Sequence, residues 1–440
     1  MSSLPGLRMP ALVQSLQMQH DPLAFLKRGQ NRFGDIFTIK VLTAGKVVVL
    51  AHHDMFEKVF TGEETTFLGG AGQEMIEPMV GPQSIFLSDV ADHTWKRRIM
   101  LPPFHRTAIQ RYTDQIQKIA EDQVATWPTG RPIRLRERTQ EIAMDVILQI
   151  IFGVEDPERI RVMRRRLVSM REPLNAIIMV PLLRRDLGPF SPWRVFSRRR
   201  AAVDDIVYQE IRTRRSDPNL EEKFDFLSLL IKARDEDGRQ MTDSEVRDQL
   251  MSMVFAGYET TAIGLAWALE LLSRHPEVVE KLRASLDAGD QQYMSAVIDE
   301  TLRLYPPLFH VARRVGKPVE INGYRLPEDA WLMIAIILVH RRDDLYEEPG
   351  AFRPERFLDE RPPRYGYVPF AAGSRRCLGM HLAKLEMAIV LEHLVRTMDI
   401  SPGRKKPDEM KLFHITVVPR HGATVILKPR EAPDRETVAG

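Results

Sequence analysis

The chain has 440 residues, 44% hydrophobic and 28% charged, with 63 Lys and Arg against 60 Asp and Glu for a formal net charge of +3. That composition is globular, and the charge is too small to argue for nucleic acid as a partner. Its single cysteine excludes an internal disulfide and every zinc pattern built on paired cysteines. The start, MSSLPGLRMPALVQSLQMQHDP, holds neither a charged-then-apolar leader nor the ~20 apolar residues of a membrane span. No transmembrane anchor is expected, and the expected location is the cytoplasm.

In chain order, residues 35–51 set β-branched runs on either side of a glycine-containing turn, which predicts a hairpin. Residues 136–153 carry Ile142, Met144, Val146, Ile147, Ile150 and Ile151 at helical spacing and predict a core helix. A capping box from Thr242 to Glu245 opens a stretch with no breaker before Pro276. At ~1.5 Å per residue that helix is about 48 Å long, enough to cross most of the molecule. Within it, Gly257 and the hydroxyls of Thr260 and Thr261 predict a bend. Beyond residue 306 prolines become frequent, and PVEINGYRLP and LFHITVVPRHGATVILKP read as short strands with turns. No repeat or linker is visible, so one helix-rich domain with a minor β part is expected over residues 1–440.

Cys377 lies in FAAGSRRCLGMHLAKLE, where a loop with Gly373, Arg375, Arg376 and Gly379 enters a helix marked by Leu382, Leu385, Ile389 and Val390. Helix-end amides and nearby arginines favour a thiolate, and the glycines allow close backbone approach. Such a sulfur is a metal ligand or a nucleophile with a base in reach, for which His381 is a candidate; a buried structural cysteine is the third reading. Zincin, P-loop and nucleophile-elbow motifs are missing, and GGAGQEM at 69–75 lacks the final glycine of a dinucleotide fingerprint.

The pattern Phe370-x-x-Gly373-x-Arg375-x-Cys377-x-Gly379 resembles the haem-binding signature of the cytochrome P-450 superfamily. The resemblance extends along the chain. Glu300 and Arg303 in ETLRLYPP precede Arg356 in FRPERF, and both precede the cysteine loop. Ala256-Gly257-Tyr258-Glu259-Thr260-Thr261 stands in the middle of the long helix. His93 and Arg97 in HTWKRR and Arg313 in HVARRV occupy the family's propionate positions.

That resemblance implies a mainly α fold with a minor β part, a long central helix across the haem and a cysteine-ligand loop beneath it. It implies haem b (iron protoporphyrin IX) with Cys377 as its metal ligand. Phe370 would pack against the ligand, Gly373 and Gly379 would make room beneath the ring, and His93, Arg97, Arg313 and Arg375 would meet the propionates. Glu259 and Thr260 would be the catalytic acid–hydroxyl pair, moving protons toward dioxygen. Glu300, Arg303 and Arg356 would interlock to hold the cysteine loop, a structural role. Phe255, Ala256, Leu308, Phe309, Val311, His414 and Ile415 would face the substrate.

The implied function is a monooxygenase acting with O2 on an apolar small molecule. Similarity to a bacterial branch of fatty-acid and terpenoid hydroxylases suggests a lipid-like substrate, with Arg184 and Arg185 of the 174–200 lid attracting an anionic head group. No fused reductase is visible, so electrons are expected from an acidic ferredoxin or flavodoxin with its reductase, drawn to Arg98, Arg376 and Lys384. The alternatives are a haem-thiolate peroxygenase or isomerase, against which the intact Glu259–Thr260 pair argues, and a non-catalytic haem sensor, which would need an output module.

Overall fold

The helix announced by the capping box runs from Asp243 to Arg274, and its cap forms in both directions: Thr242 Oγ1 accepts from the Glu245 amide at 3.2 Å while the Glu245 carboxylate accepts from the Thr242 amide at 2.8 Å. The computed structural model describes residues 4–171, 177, 181–359 and 362–430. Nearly every side chain of the long helix is buried, so it forms the axis of the main core. The Leu135–Phe152 helix packs along it, and Gly257 belongs to that contact, because a Cβ there would press on Ile147. The hydroxyls of Thr260 and Thr261 bond back to the carbonyls of Ala256 and Gly257 at 2.6 and 3.0 Å, yet the helix continues unbroken through them. Helices Gln292–Leu304 and Met380–Thr397 close the same core from the other side.

The β part is small. Strands β1 (Ile36–Val41) and β2 (Gly45–Leu50) form the expected hairpin, with Ile36 opposite Leu50. With β3 (Phe67–Leu68), β5 (Val311–Val315) and β8 (Trp331–Ile334) they make a five-stranded sheet in the order β1-β2-β8-β5-β3. Strand β4 (Pro132–Arg134) joins β12 (Thr424–Pro429) and β9 (Met398–Pro402) in a second sheet. The Asn-Gly pair at 322–323 takes positive φ at both residues and turns β6 (Val319–Ile321) into β7 (Tyr324–Leu326). A last hairpin, β10 (Met410–Phe413) and β11 (Thr416–Pro419), turns at His414 with φ of 56°. Trp267 of the long helix donates its indole N–H to the Val417 carbonyl at 3.3 Å and stacks on Tyr305, which pins this hairpin against the core. Among the described residues no helix is long and apolar enough to cross a membrane.

Candidate functional site

Cys377 stands three residues before the Met380–Thr397 helix, in a loop held at several points. Its amide donates to the Phe370 carbonyl at 3.0 Å, and Phe370 itself packs against the main core. Gly373 has φ of 70°, and a Cβ there would collide with the Phe60 carbonyl. This glycine lets the loop pack its backbone against the His53–Thr61 helix. Gly379 has open space where its Cβ would be. Cys377 retains accessible surface although many neighbouring atoms surround its thiol.

The expected thiolate preference needs correcting. Burial raises the thiol pKa, outweighing the amides of Gly379 and Met380 and the charges of Arg97 and Arg376, which all lower it. Four local aids do not make this sulfur an anion by themselves; a bound metal ion supplies the missing charge and deprotonates a thiol outright. His381, the candidate base, is exposed on the following helix.

The basic residues converge. Arg375 donates to the Ser88 carbonyl and to Asp89, the latter at 2.6 Å, and Asp89 also accepts from the amides of Gly69 and Gly70 at 2.8 Å. His93 is buried, its Nδ1 has no hydrogen-bond partner among the described residues, and it stands 3.9 Å from the Glu64 carboxylate. Burial, then Arg375, lower its pKa to about 4, so the ring is neutral. Arg97 makes no hydrogen bond or ion pair among the described residues, and burial lowers its pKa. Arg313 is buried, and among the described residues its guanidinium hydrogen-bonds only the Ala312 carbonyl, at 2.8 Å; burial, then Arg375, lower its pKa to about 10. Three guanidinium groups thus share two carboxylates, Asp89 and Glu64, in a mostly enclosed space. Such a cluster lacks anions, and a haem with its two propionates fits both this deficit and the sulfur of Cys377.

The loop is braced from behind by a buried ion triad. Arg303 forks onto Glu300 at 2.6 and 2.8 Å, and Arg356 reaches the same carboxylate at 3.0 Å. Arg303 also donates to the carbonyls of His340, Pro349 and Ala351. His340, which has no sequence signature, carries the brace onward: its Nδ1 bonds the Arg303 carbonyl at 3.2 Å and its Nε2 accepts from the Val368 amide at 2.9 Å, two residues before Phe370. Acceptance at Nε2 requires the proton on Nδ1, and burial keeps the ring neutral with its pKa at about 3.

On the far side, Phe255, Ala256, Gly257 and Thr260 of the long helix keep partial accessible surface, and Ala256 and Thr260, four residues apart, share a face. Glu259 is buried and pairs with Arg136 of the Leu135–Phe152 helix at 3.1 Å, a partner that local sequence did not disclose. Arg136 also lies over the Phe413 ring at 4.7 Å, next to His414 and Ile415, and the Val417 amide donates to the Pro307 carbonyl at 2.8 Å. The long helix, the segment after Pro307 and the β10–β11 turn are therefore brought together. Leu308, Val311 and Ile415 are half-buried and His414 is buried. Phe309 is not with them: it is 1% exposed and packs into the sheet-side core with Val47, Met333 and Ile337.

The fold and this cysteine loop define the haem-thiolate class of protein. The profile of the family "Cytochrome P450", written here P-450, matches residues 4–426. A Mycobacterium tuberculosis protein provisionally named cytochrome P-450 137 is 36% identical over 435 residues, 97% of this chain and 91% of its own. Cytochrome P-450 135B1 of Mycobacterium bovis, also provisionally named, is 37% identical over 431 residues, 96% of this chain and 90% of its own. Among solved structures, retinoic acid bound cyanobacterial CYP120A1 superposes with a TM-score of 0.86 at 23% identity, covering 97% of this chain and 99% of that one. The haem domain of cytochrome P-450DA gives 0.87 at 21%, covering 98% of each. The chain belongs to the cytochrome P-450 family and is a haem-dependent monooxygenase that uses O2 and a redox partner.

Proposed function

We propose that Cys377 would hold the iron of haem b through its thiolate and that His93, Arg97, Arg313 and Arg375 would receive its propionates. The observation that carries this reading is the enclosed cation cluster, which has too few carboxylates of its own and lies beside the accessible sulfur of Cys377. When bound, haem held by a thiolate supplies the activation of O2.

The chain supplies the rest. Phe370 and Gly373 hold the cysteine loop in shape, Gly379 leaves it space, and Glu300, Arg303 and Arg356 fix it from behind. Thr260, on the open face of the long helix, presents a hydroxyl that can donate and accept a proton. Glu259 holds protons next to it, with Arg136 as its counter-charge and link toward solvent. Phe255, Ala256, Leu308, Val311, His414 and Ile415 enclose an apolar, lipid-like substrate of the fatty-acid or terpenoid kind and keep water from it. Phe309 is left out because its side chain is buried in the core.

The charge-based argument for a fatty acid is weaker than the lid sequence suggests. Arg184 donates to the carbonyls of Ile177 and Met75, both at 3.2 Å, so its guanidinium already has work. Residues 172–176 and 178–180 of the lid region lie outside the described residues. We read residues 1–440 as one haem domain served by a separate acidic ferredoxin or flavodoxin with its reductase.

The test is Cys377→Ser. The reduced carbonyl complex of the natural protein should show the red-shifted Soret band of thiolate ligation, and the variant should lose it. An unchanged band in the variant would overturn the assignment.

A further inference from the structure

The segment from Leu308 to His310 leads into β5, which begins at Val311. Phe309 goes into the sheet-side core, while Leu308, His310 and Ala312 keep accessible surface. His310 is nevertheless surrounded by the chain, so its remaining surface faces an enclosed space. Arg313 of β5, three residues further on, belongs to the cation cluster around Arg375. At ~3.3 Å per residue His310 is about 10 Å from it, on the stretch that borders the proposed substrate groove.

No hydrogen bond to His310 occurs among the described residues, and its Nδ1 is fully enclosed without a partner. The ring touches Phe309 at 4.2 Å, a contact that satisfies neither nitrogen. Burial lowers its pKa to about 4, so at neutral pH it offers one N–H donor and one acceptor nitrogen. Enclosed polar groups in folded proteins are nearly always paired, and one that is not destabilises the fold unless something else supplies the partner. The other residues assigned to the groove are mainly apolar, and Arg184 is engaged by carbonyls. A neutral donor–acceptor ring in such a place matches a neutral oxygen function better than a carboxylate.

We propose that His310 is the specificity residue of the groove and that the substrate is an apolar skeleton carrying one neutral hydrogen-bonding oxygen, a hydroxyl or a ketone, which meets the His310 imidazole. This rests on the reading of the groove as the substrate site. Because Nδ1 is enclosed, the contact is at Nε2: a ketone would accept its N–H, and a hydroxyl would accept it or, in the other tautomer, donate to Nε2. A hydrocarbon of the same shape would leave the ring unpaired and be discriminated against.

The test uses the haem-loaded protein and decane, 1-decanol, 2-decanone and decanoic acid as probes, with dissociation constants read from the haem spin-state shift. The natural protein should bind the alcohol and ketone about ten- to a hundredfold tighter than decane. His310→Phe, which keeps the ring without its nitrogens, should erase that preference while still binding decane. A preference that survives in His310→Phe, or one that favours decanoic acid in both proteins, would overturn the inference while leaving the groove reading intact. If no probe perturbs the haem of either protein, the groove reading fails and takes the inference with it. Independently of any ligand, His310→Phe should raise the melting temperature of the haem-loaded protein, because an unpaired enclosed imidazole is removed. A lowered melting temperature would mean that the ring is satisfied within the chain, and the inference would fall.

Discussion

Nη2 of Arg136 donates to Oε1 of Glu259 at 3.1 Å, although the two residues stand 123 positions apart in the chain. The carboxylate is 2% exposed, so taking it out of water is unfavourable unless a cation accompanies it. Arg136→Ala should therefore destabilise the fold by about 3 kcal/mol, the low end for breaking a buried pair, since the arginine is still partly wet. Arg136→Ala combined with Glu259→Gln should recover most of that loss. Urea unfolding of the four proteins in the cycle measures the coupling; additive losses would mean that the pair is not energetically linked.

Thr260 and Thr261 both bond back to the helix, but only Thr260 retains surface, on the face it shares with Ala256, while Thr261 is buried at 4%. Thr260→Ala should keep substrate binding and lower product per electron consumed by ~10-fold, in the range expected for loss of a proton-transfer group, with hydrogen peroxide appearing instead. Thr261→Ala should leave that ratio unchanged. Equal ratios in both variants would move the role elsewhere.

His340 links the Glu300–Arg303 pair to Val368 through its two ring nitrogens. His340→Phe keeps the volume but strands the buried Val368 amide and the Arg303 carbonyl. The expected loss is about 2–4 kcal/mol, from two groups at about 1–2 kcal/mol each. Because Val368 leads into the cysteine loop, haem retention on dilution should fall with stability. A variant that loses stability but holds haem normally would show that the link braces the core only.

For partner docking, Arg98 is paired with Glu236 at 2.7 Å and Lys384 with Asp299 at 2.5 Å, while Arg376 has no carboxylate partner among the described residues. Charge reversal at Arg376 should slow reduction by an acidic ferredoxin ~10-fold at low ionic strength, with the difference fading as salt is added. Reversal at Arg98 should do less. A rate insensitive to ionic strength would remove the electrostatic model of docking.

What was legible in the sequence had local, fixed spacing: the cysteine loop, the Glu300–Arg303 turn, the capping box at Thr242 and the β6–β7 turn at Asn322. What was not legible depends on neighbours far along the chain. Arg136, His340 and Asp89 look like ordinary polar residues until folding brings Glu259, Val368 and Arg375 to them. Phe309 departs from its expected place for a related reason: family position named the segment, but packing decides which of its side chains enter the core. The thiol of Cys377 illustrates a third limit. Helix-end amides and arginines can be counted from sequence, whereas enclosure, which opposes them, cannot.

Glu386, on the helix that follows the cysteine loop, is 1% exposed and its Oε1 has no hydrogen-bond partner among the described residues. Burial raises its pKa well above the ordinary 4.5, so the folded protein holds the carboxyl protonated where the unfolded chain has released the proton. The folded state then binds more protons, and stability declines as pH rises from about 4.5 toward the raised folded value. The slope is about 1.4 kcal/mol per pH unit while only the unfolded carboxyl is ionised. Glu386→Gln abolishes this titration without changing the side-chain shape. The variant should match the natural protein near pH 4.5 and become progressively more stable than it toward pH 7.5, as read by urea unfolding of both haem-loaded proteins across that range. A stability difference that stays constant with pH would show that Glu386 is ionised in the fold and that a partner in the native protein stabilises it.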